Sequence, residues 1–201
     1  MLEYFIEVDK LLFIFINTNL ANSYFDFLMP VLTDWDKTLA GRVFIFLSVF
    51  FLAIKGGTKG RIVITLLVIT IAVSDQFNSS ILKSLIGRPR PCHIMDGTMV
   101  VDQIRLLVNC GSGYSFPSSH ATNYFATATL ISFFYSKTKW LFFVFASSIA
   151  FSRVYIGVHF PSDVVAGAFV GTSIAFLIFH SWLLLNKKFF RFDYETSKIK
   201  T

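Results

Sequence analysis

Five stretches of this chain, residues 38–55, 62–82, 119–136, 140–158 and 163–185, are apolar almost throughout. A bilayer takes about 20 mostly apolar residues of helix to cross. Inside it, every backbone N–H and C=O must find a partner within the segment or an adjoining one. The runs therefore point to an all-α, polytopic transmembrane helical bundle. Composition agrees: 54% of residues are hydrophobic and 25 are Phe, beyond the usual share for a soluble domain. A length of 201 residues suits one compact helical domain.

The first 37 residues differ. LLFIFIN is too short to span and closely follows Glu7, Asp9 and Lys10, and SYFDFLMPVLTDW is broken by Asp26 and Pro30. Both are expected to lie in the membrane interface as amphipathic, aromatic-rich helices, with a sixth span as the alternative. The opening MLEYFIEVDK lacks a basic n-region and does not read as a cleavable signal peptide. The expected organisation is an N-terminal interfacial segment 1–37, a transmembrane domain 38–186 and a basic tail 187–201.

Lys and Arg set the orientation. Lys55, Lys59 and Arg61, then Lys137 and Lys139, then Lys187, Lys188, Arg191, Lys198 and Lys200 all fall on one side if five spans are counted. That side is expected to be cytoplasmic, in a cell (inner) membrane. The formal net charge of +6 then belongs to these loops rather than to nucleic-acid binding, for which an aromatic-interleaved basic patch is missing. Arg42 sits near a span end, where it can snorkel. Trp35, Trp140 and Trp182 lie at or near span ends, as interfacial aromatics do. Gly167 and Gly171 form a GxxxG expected to bring two helices into close contact within the fold.

This topology puts Lys83, His120, Arg153 and Asp163 at one depth on the outer side. Three segments converge there: KSLIGRPRP (Lys83 to Pro91), FPSSH (Phe116 to His120) and SRVYIGVHFPSD (Ser152 to Asp163). They bring three cations (Lys83, Arg90, Arg153), two histidines (His120, His159) and a carboxylate (Asp163). Ionisable groups near a bilayer are costly and mark function. Clustered cations call for a dense anion, with Arg matching phosphate oxygens as a planar fork and Lys acting as a point charge. Pro117 suits a first helical turn, leaving the amides of Ser118, Ser119 and His120 at a helix start as anion donors. Pro161 likewise suits the start of the last span, putting Asp163 in its first turn, where the helix dipole favours an ionised carboxylate. Two histidines beside a bound phosphate suggest covalent phosphoryl transfer. One would be the nucleophile, with its second ring nitrogen held by an acceptor, and Asp163 could hold His159. His120, on another helix, could serve as general acid and then as base for water.

The three segments resemble the type 2 phosphatidic acid phosphatase family, whose soluble relatives include vanadium haloperoxidases. The family motifs KxxxxxxRP, PSGH and SRxxxxxHxxxD match Lys83 with Arg90-Pro91, then Pro117-Ser118-Ser119-His120, then Ser152-Arg153 with His159 and Asp163. The resemblance implies that His159 becomes a phosphohistidine, that Asp163 orients it and that His120 is the acid and base. It also implies that Lys83, Arg90, Arg153 and Ser118 with neighbouring amides clamp the phosphate. It implies no metal or other cofactor, and a lipid phosphate drawn from the bilayer as substrate. Undecaprenyl diphosphate is the first candidate on this analogy. Phosphatidylglycerophosphate, phosphatidic acid and the 1-phosphate of lipid A are alternatives. One departure is Ser119, which stands where the family carries glycine; an added side chain there could narrow the pocket or offer a hydroxyl contact.

Other polar residues have plainer expectations. His93 reads as a loop residue, His180 as interfacial, and Arg88 as either a headgroup contact or a solvated loop cation. Asp75 and Asn78 read as hydrogen-bonding groups within the bundle or as supports for Lys83. Cys92 and Cys110, the two cysteines of the chain, both fall in the outer loop and are expected to pair. An anion transporter would spread its ionisable residues over several depths. A non-catalytic lipid-phosphate binder would be expected to lose His120, His159 or Asp163.

Overall fold

The structure is a computed structural model that describes residues 1–95, 98–102, 104–190, 192–193 and 198–199. Helices α1 (Leu2–Ile14), α2 (Ser23–Thr33), α3 (Leu39–Lys55), α4 (Gly57–Gln76), α5 (Lys83–Ile86), α6 (Ser119–Phe134), α7 (Lys139–Tyr155) and α8 (Pro161–Leu185) follow in order. Wider π-helical turns continue α1 over Phe15–Asn19 and join α4 to α5 over Phe77–Leu82. Among the described residues, extended structure is limited to two short antiparallel pairs, Ile94–Met95 with Thr98–Met99 and Phe192–Asp193 with Lys198–Ile199. Arg191 and Lys200 of the basic tail lie outside the described residues.

Local chemistry sets the helix starts. Asn22 accepts the Phe25 N–H at 2.9 Å, and Thr38 accepts that of Gly41 at 3.0 Å; both are cap bonds that satisfy an orphan first-turn donor. Pro161 occupies the first turn of α8, where its missing N–H costs nothing. Gly87, at φ +61°, ends α5 in a left-handed conformation that glycine adopts without strain.

The five apolar runs coincide with α3, α4, α6, α7 and α8. Among the described residues, two helical stretches are both long and apolar enough to cross a membrane, 57–86 and 161–189. Helices α3, α6 and α7 have 17, 16 and 17 residues, or about 24–26 Å at 1.5 Å per residue, against a hydrocarbon core of about 30 Å. The expected run for α3 ends with the helix at Lys55, whereas those for α6 and α7 run two and three residues past the helix C-termini. The chain leaves α6 at Tyr135 and α7 at Ile156. Along α3 the side chains of Phe44, Phe46, Leu47 and Phe51 remain exposed, as residues facing lipid do.

Helix α6 is the centre of the bundle and packs on α4, α7 and α8. Its approach to α8 is closest where small residues meet. A Cβ on Gly171 would lie 2.0 Å from the Thr122 carbonyl oxygen, and one on Gly167 would lie 2.6 Å from that of Ser118. The GxxxG is therefore an internal packing seam. One apolar cluster, with Phe13, Ala121, Val154 and Phe160, lies beneath the α7–α8 turn. Another, with Leu66, Leu130, Phe134 and Phe179, fills the opposite end of the bundle.

The N-terminal helices close over the α7–α8 turn. The Asn17 amide donates to the carbonyls of Arg105 (2.8 Å) and Tyr155 (2.7 Å) and accepts the Arg105 N–H (2.8 Å). Tyr155 donates to Asp26 at 2.7 Å, and Arg105 pairs with the same carboxylate. One buried asparagine thus ties α1, the 104–108 loop and the end of α7 together.

Candidate active site

The α7–α8 turn carries His159, which is 1% exposed, and Asp163, which is fully buried. Asp163 is the third residue of α8, and its carboxylate accepts the Phe160 N–H at 2.8 Å. This is the return bond of a capping box; the outgoing bond is missing because Phe160 has no side-chain acceptor. The cap fixes the carboxylate beneath His159, whose Nδ1 lies 3.4 Å from Asp163 Oδ2. That separation is long for a hydrogen bond, because the same oxygen also takes the hydroxyl of Ser115. The His159 imidazole lies outside the apolar spans. Burial pushes it down to about 4; the Arg153 and Arg90 charges push the same way, and the Asp163 hydrogen bond opposes them. The ring is therefore neutral near pH 7, with Nε2 pointing away from Asp163 and available as a lone-pair donor.

His120 lies in the first turn of α6, and Ser118 is its N-cap. This corrects the expectation for Pro117, which stands two residues before the helix. It also narrows the amides on offer. The Ser118 N–H already donates to the Asp163 backbone oxygen at 3.0 Å, and its hydroxyl accepts from Ala121. Ser118 thus latches α6 to α8, and the first-turn amides of Ser119 and His120 are the ones with no carbonyl four residues back in the helix.

The cations arrive from three directions. Lys83 follows the π-helical turn below α5 and lies within electrostatic reach of Arg90, Arg153 and Asp163. Arg153 is 8% exposed, donates to Thr33 Oγ1 at 3.0 Å and has a buried Nε with no partner. Arg90 donates through Nε to the Gly113 carbonyl at 2.7 Å. Its loop is closed by a Cys92–Cys110 disulfide and by a 2.9 Å contact between His93 Nε2 and the Gly111 carbonyl. His93 thus has a structural task in the loop. His120 feels the charges of Arg153, His159 and Arg90. The structure brings the six residues expected to act together within electrostatic reach of one another.

Ser119 does not narrow this layer. Its hydroxyl accepts the Asn78 amide at 2.9 Å, and the same amide reaches the Pro117 carbonyl at 3.3 Å. The hydroxyl thus engages the buried face of the α4–α5 connection. Asp75 and Ser74 reach α6 through Asn123, a bundle role.

Sequence reasoning missed Ser115, Asp9 and the placement of Arg88. Arg88 donates to Asp163 Oδ1 at 2.8 Å and to Asp9 Oδ2 at 2.6 Å, so it is neither solvated nor aimed at a headgroup. Asp9, 4% exposed, shares α1 with the charged residues Glu3, Glu7 and Lys10, so no sequence signal singled it out. Beside Arg153, a cleft of about 710 Å³ is lined by Asp34, Lys37, Asn109 and the apolar Leu106 to Val108. That size falls within the usual range for small-molecule sites.

Known proteins resemble this chain in sequence and in fold. A family model described as the PAP2 superfamily matches residues 62–187, a span that holds all three motifs. A lipid A 4′-phosphatase of Bacteroides thetaiotaomicron is 30% identical over 181 residues, covering 85% of this chain and 75% of the relative. The undecaprenyl-diphosphatase BcrC of Bacillus subtilis is 26% identical over 158 residues, covering 79% and 75%. The crystal structure of Aquifex aeolicus LpxE superposes with a TM-score of 0.67 at 25% identity, covering 84% of this chain and 93% of that one. With the family model spanning more than half its length, and a relative matched over most of both chains, this chain belongs to the PAP2 superfamily, the type 2 phosphatidic acid phosphatases.

Proposed function

We propose that this lipid phosphatase hydrolyses its substrate at the outer face of the membrane through a phosphohistidine on His159. The observation that carries the reading is the buried His159–Asp163 pair, set in one layer with His120 and three cations. In the first step His159 Nε2 attacks phosphorus and the bond to the leaving oxygen breaks. His120 delivers a proton to that oxygen. In the second step His120 takes a proton from water, which attacks the phosphohistidine and frees inorganic phosphate. Lys83, Arg90, Arg153 and the amides of Ser119 and His120 stabilise the charge on the non-bridging oxygens. Asp163 offsets the positive charge that develops on the His159 ring. Five spans, with α1 and α2 at the outer interface, put this layer at the outer leaflet and the basic loops in the cytoplasm. The reaction needs no metal, so EDTA leaves it unchanged.

The substrate we favour is a phosphorylated glycolipid, such as a lipid A 4′-phosphate. The cleft beside Arg153 offers room and polar contacts (Lys37, Asn109) for a large hydrophilic leaving group, and the Bacteroides relative bears that activity in its name. The same cleft could instead hold the second phosphate of undecaprenyl diphosphate against Lys37, which is the other reading. The test is phosphate release by purified protein from lipid A, undecaprenyl diphosphate, phosphatidylglycerophosphate and phosphatidic acid. The His159→Ala variant, expected to be at least about 1,000-fold slower, serves as control. Release from lipid A at the 4′ position, blocked in the variant, is the expected result. Equal release by wild type and variant overturns the nucleophile, and preference for the diphosphate overturns the glycolipid.

A further inference from the structure

We infer that Arg88 and Asp9 are positioning residues for the catalytic carboxylate, which makes the N-terminal helix α1 a working part of the active site. The inference rests on the reading of His159 as nucleophile and Asp163 as its partner.

Arg88 grips Asp163 from both sides. Its guanidinium Nη1 donates to Asp163 Oδ1 at 2.8 Å. Its backbone carbonyl accepts the Ser115 N–H at 2.8 Å, and the Ser115 hydroxyl in turn donates to Asp163 Oδ2. One residue therefore acts on both carboxylate oxygens, directly on Oδ1 and through Ser115 on Oδ2, and adds to the Phe160 N–H bond in setting the angle at which Oδ2 meets His159 Nδ1. Arg88 can do this because it is itself immobilised. Nη2 donates to Asp9 Oδ2 at 2.6 Å, and Nη1 also donates to Ser162 Oγ at 2.7 Å. The guanidinium lies 4.0 Å from the centroid of the Phe160 ring. Asp9 is held in turn by the Ser162 N–H at 2.8 Å and by the Ser162 hydroxyl. Guanidinium forks of this kind add geometric precision as well as attraction.

The charge count explains why two carboxylates share one arginine. Arg88 alone against Asp163 would neutralise it and leave little negative charge for the His159 ring. With Asp9 on its other nitrogen, the Asp9–Arg88–Asp163 chain keeps one net negative charge. That charge is available when attack on phosphorus makes the imidazole positive. Among the described residues, Asp9 and Arg88 make no hydrogen bond or ion pair with His120, His159 or the three phosphate-binding cations. Their effect runs through Asp163, so it falls on the chemical step rather than on binding.

The experiment compares wild type with Arg88→Ala, Arg88→Lys, Asp9→Asn, the double variant Asp9→Asn/Arg88→Ala, and His159→Ala. The substrate is whichever of the four lipids above the wild type hydrolyses fastest, and inorganic phosphate is the competitive inhibitor. Arg88→Ala is expected to lower kcat by about 10- to 100-fold, as loss of a residue that orients a ligating group does, while KM and the phosphate inhibition constant stay within about three-fold. Arg88→Lys should recover part of the rate. The double variant should be no slower than Arg88→Ala, because the two act as one unit. Asp9→Asn preserves shape and serves if Arg88→Ala fails to fold. A kcat within about three-fold of wild type in both Asp9→Asn and Arg88→Lys overturns the inference, as does equal weakening of turnover and phosphate inhibition. Activity retained in His159→Ala, or no hydrolysis of any of the four lipids by wild type, overturns the functional reading and the inference with it.

Discussion

Ser119 shows how a departure from a motif can be absorbed one helix away. A glycine there would leave Asn78, which is fully buried, with the Pro117 carbonyl as the remaining acceptor for its amide among the described residues. The side-chain oxygen of Asn78 already has no partner, so this asparagine depends on its donor contacts. Ser119→Gly is therefore expected to cost about 1 kcal/mol of stability, the net worth of one hydrogen bond, and to leave turnover within a few-fold. Thermal melting in detergent alongside phosphate release checks both halves; a large gain or loss in turnover would mean that the hydroxyl touches substrate after all. The same residue scale explains what the sequence concealed. His120, His159, Asp163 and the three cations were legible because the chemistry needs those side chains at fixed spacings. Ser115, Asp9 and Arg88 were not, because their roles arise from contacts between residues up to 153 positions apart that no local pattern records.

Among the elements, the α6–α8 pair carries the site, since each helix start supplies one histidine or its carboxylate. The glycines that let these helices touch sit one and two turns below Asp163. Gly171→Ala would put a methyl group 2.0 Å from a backbone oxygen of α6, and a backbone atom cannot rotate away. The helices must separate, at a cost of about 1–3 kcal/mol or more. The Ser118–Asp163 latch at their tops would loosen with them. The expected outcome is a lower melting temperature together with reduced turnover, whereas Val165→Ala, on the exposed face of the same helix, should change neither appreciably. A Gly171→Ala protein as stable as wild type would show that the two helices have slack at this crossing. The existence of these helices was readable from apolar runs, and GxxxG marked the seam. The start of α6 at Ser119 and the end of α8 at Leu185 were readable too, whereas the end of α6 was not, because the hydrogen-bonded helix stops at Phe134 while the chain continues into the turn.

For the whole molecule, the decisive question is which side of the membrane holds the catalytic layer. The cations divide into two populations with different tasks. Lys83, Arg88, Arg90 and Arg153 are engaged in or beside the site, whereas Lys55, Lys59 and Arg61, Lys137 and Lys139, and Lys187 and Lys188 lie in the α3–α4 connection, the α6–α7 connection and the stretch after α8. Those three places are at the opposite end of the bundle from the α7–α8 turn, since α7 and α8 each run from one end to the other. On the proposed topology the basic end is held in the cytoplasm, which would turn the Cys92–Cys110 bridge and the phosphate layer to an oxidising exterior, where a disulfide persists. A protease-sensitive tag placed after residue 201 should therefore survive external protease in intact spheroplasts and be cut in inverted membrane vesicles. Hydrolysis of a lipid phosphate confined to the outer leaflet should proceed in the spheroplasts without any step that flips the lipid. Cleavage of the tag from outside would reverse the topology, put the disulfide in a reducing compartment and require substrate to arrive from the cytoplasmic leaflet.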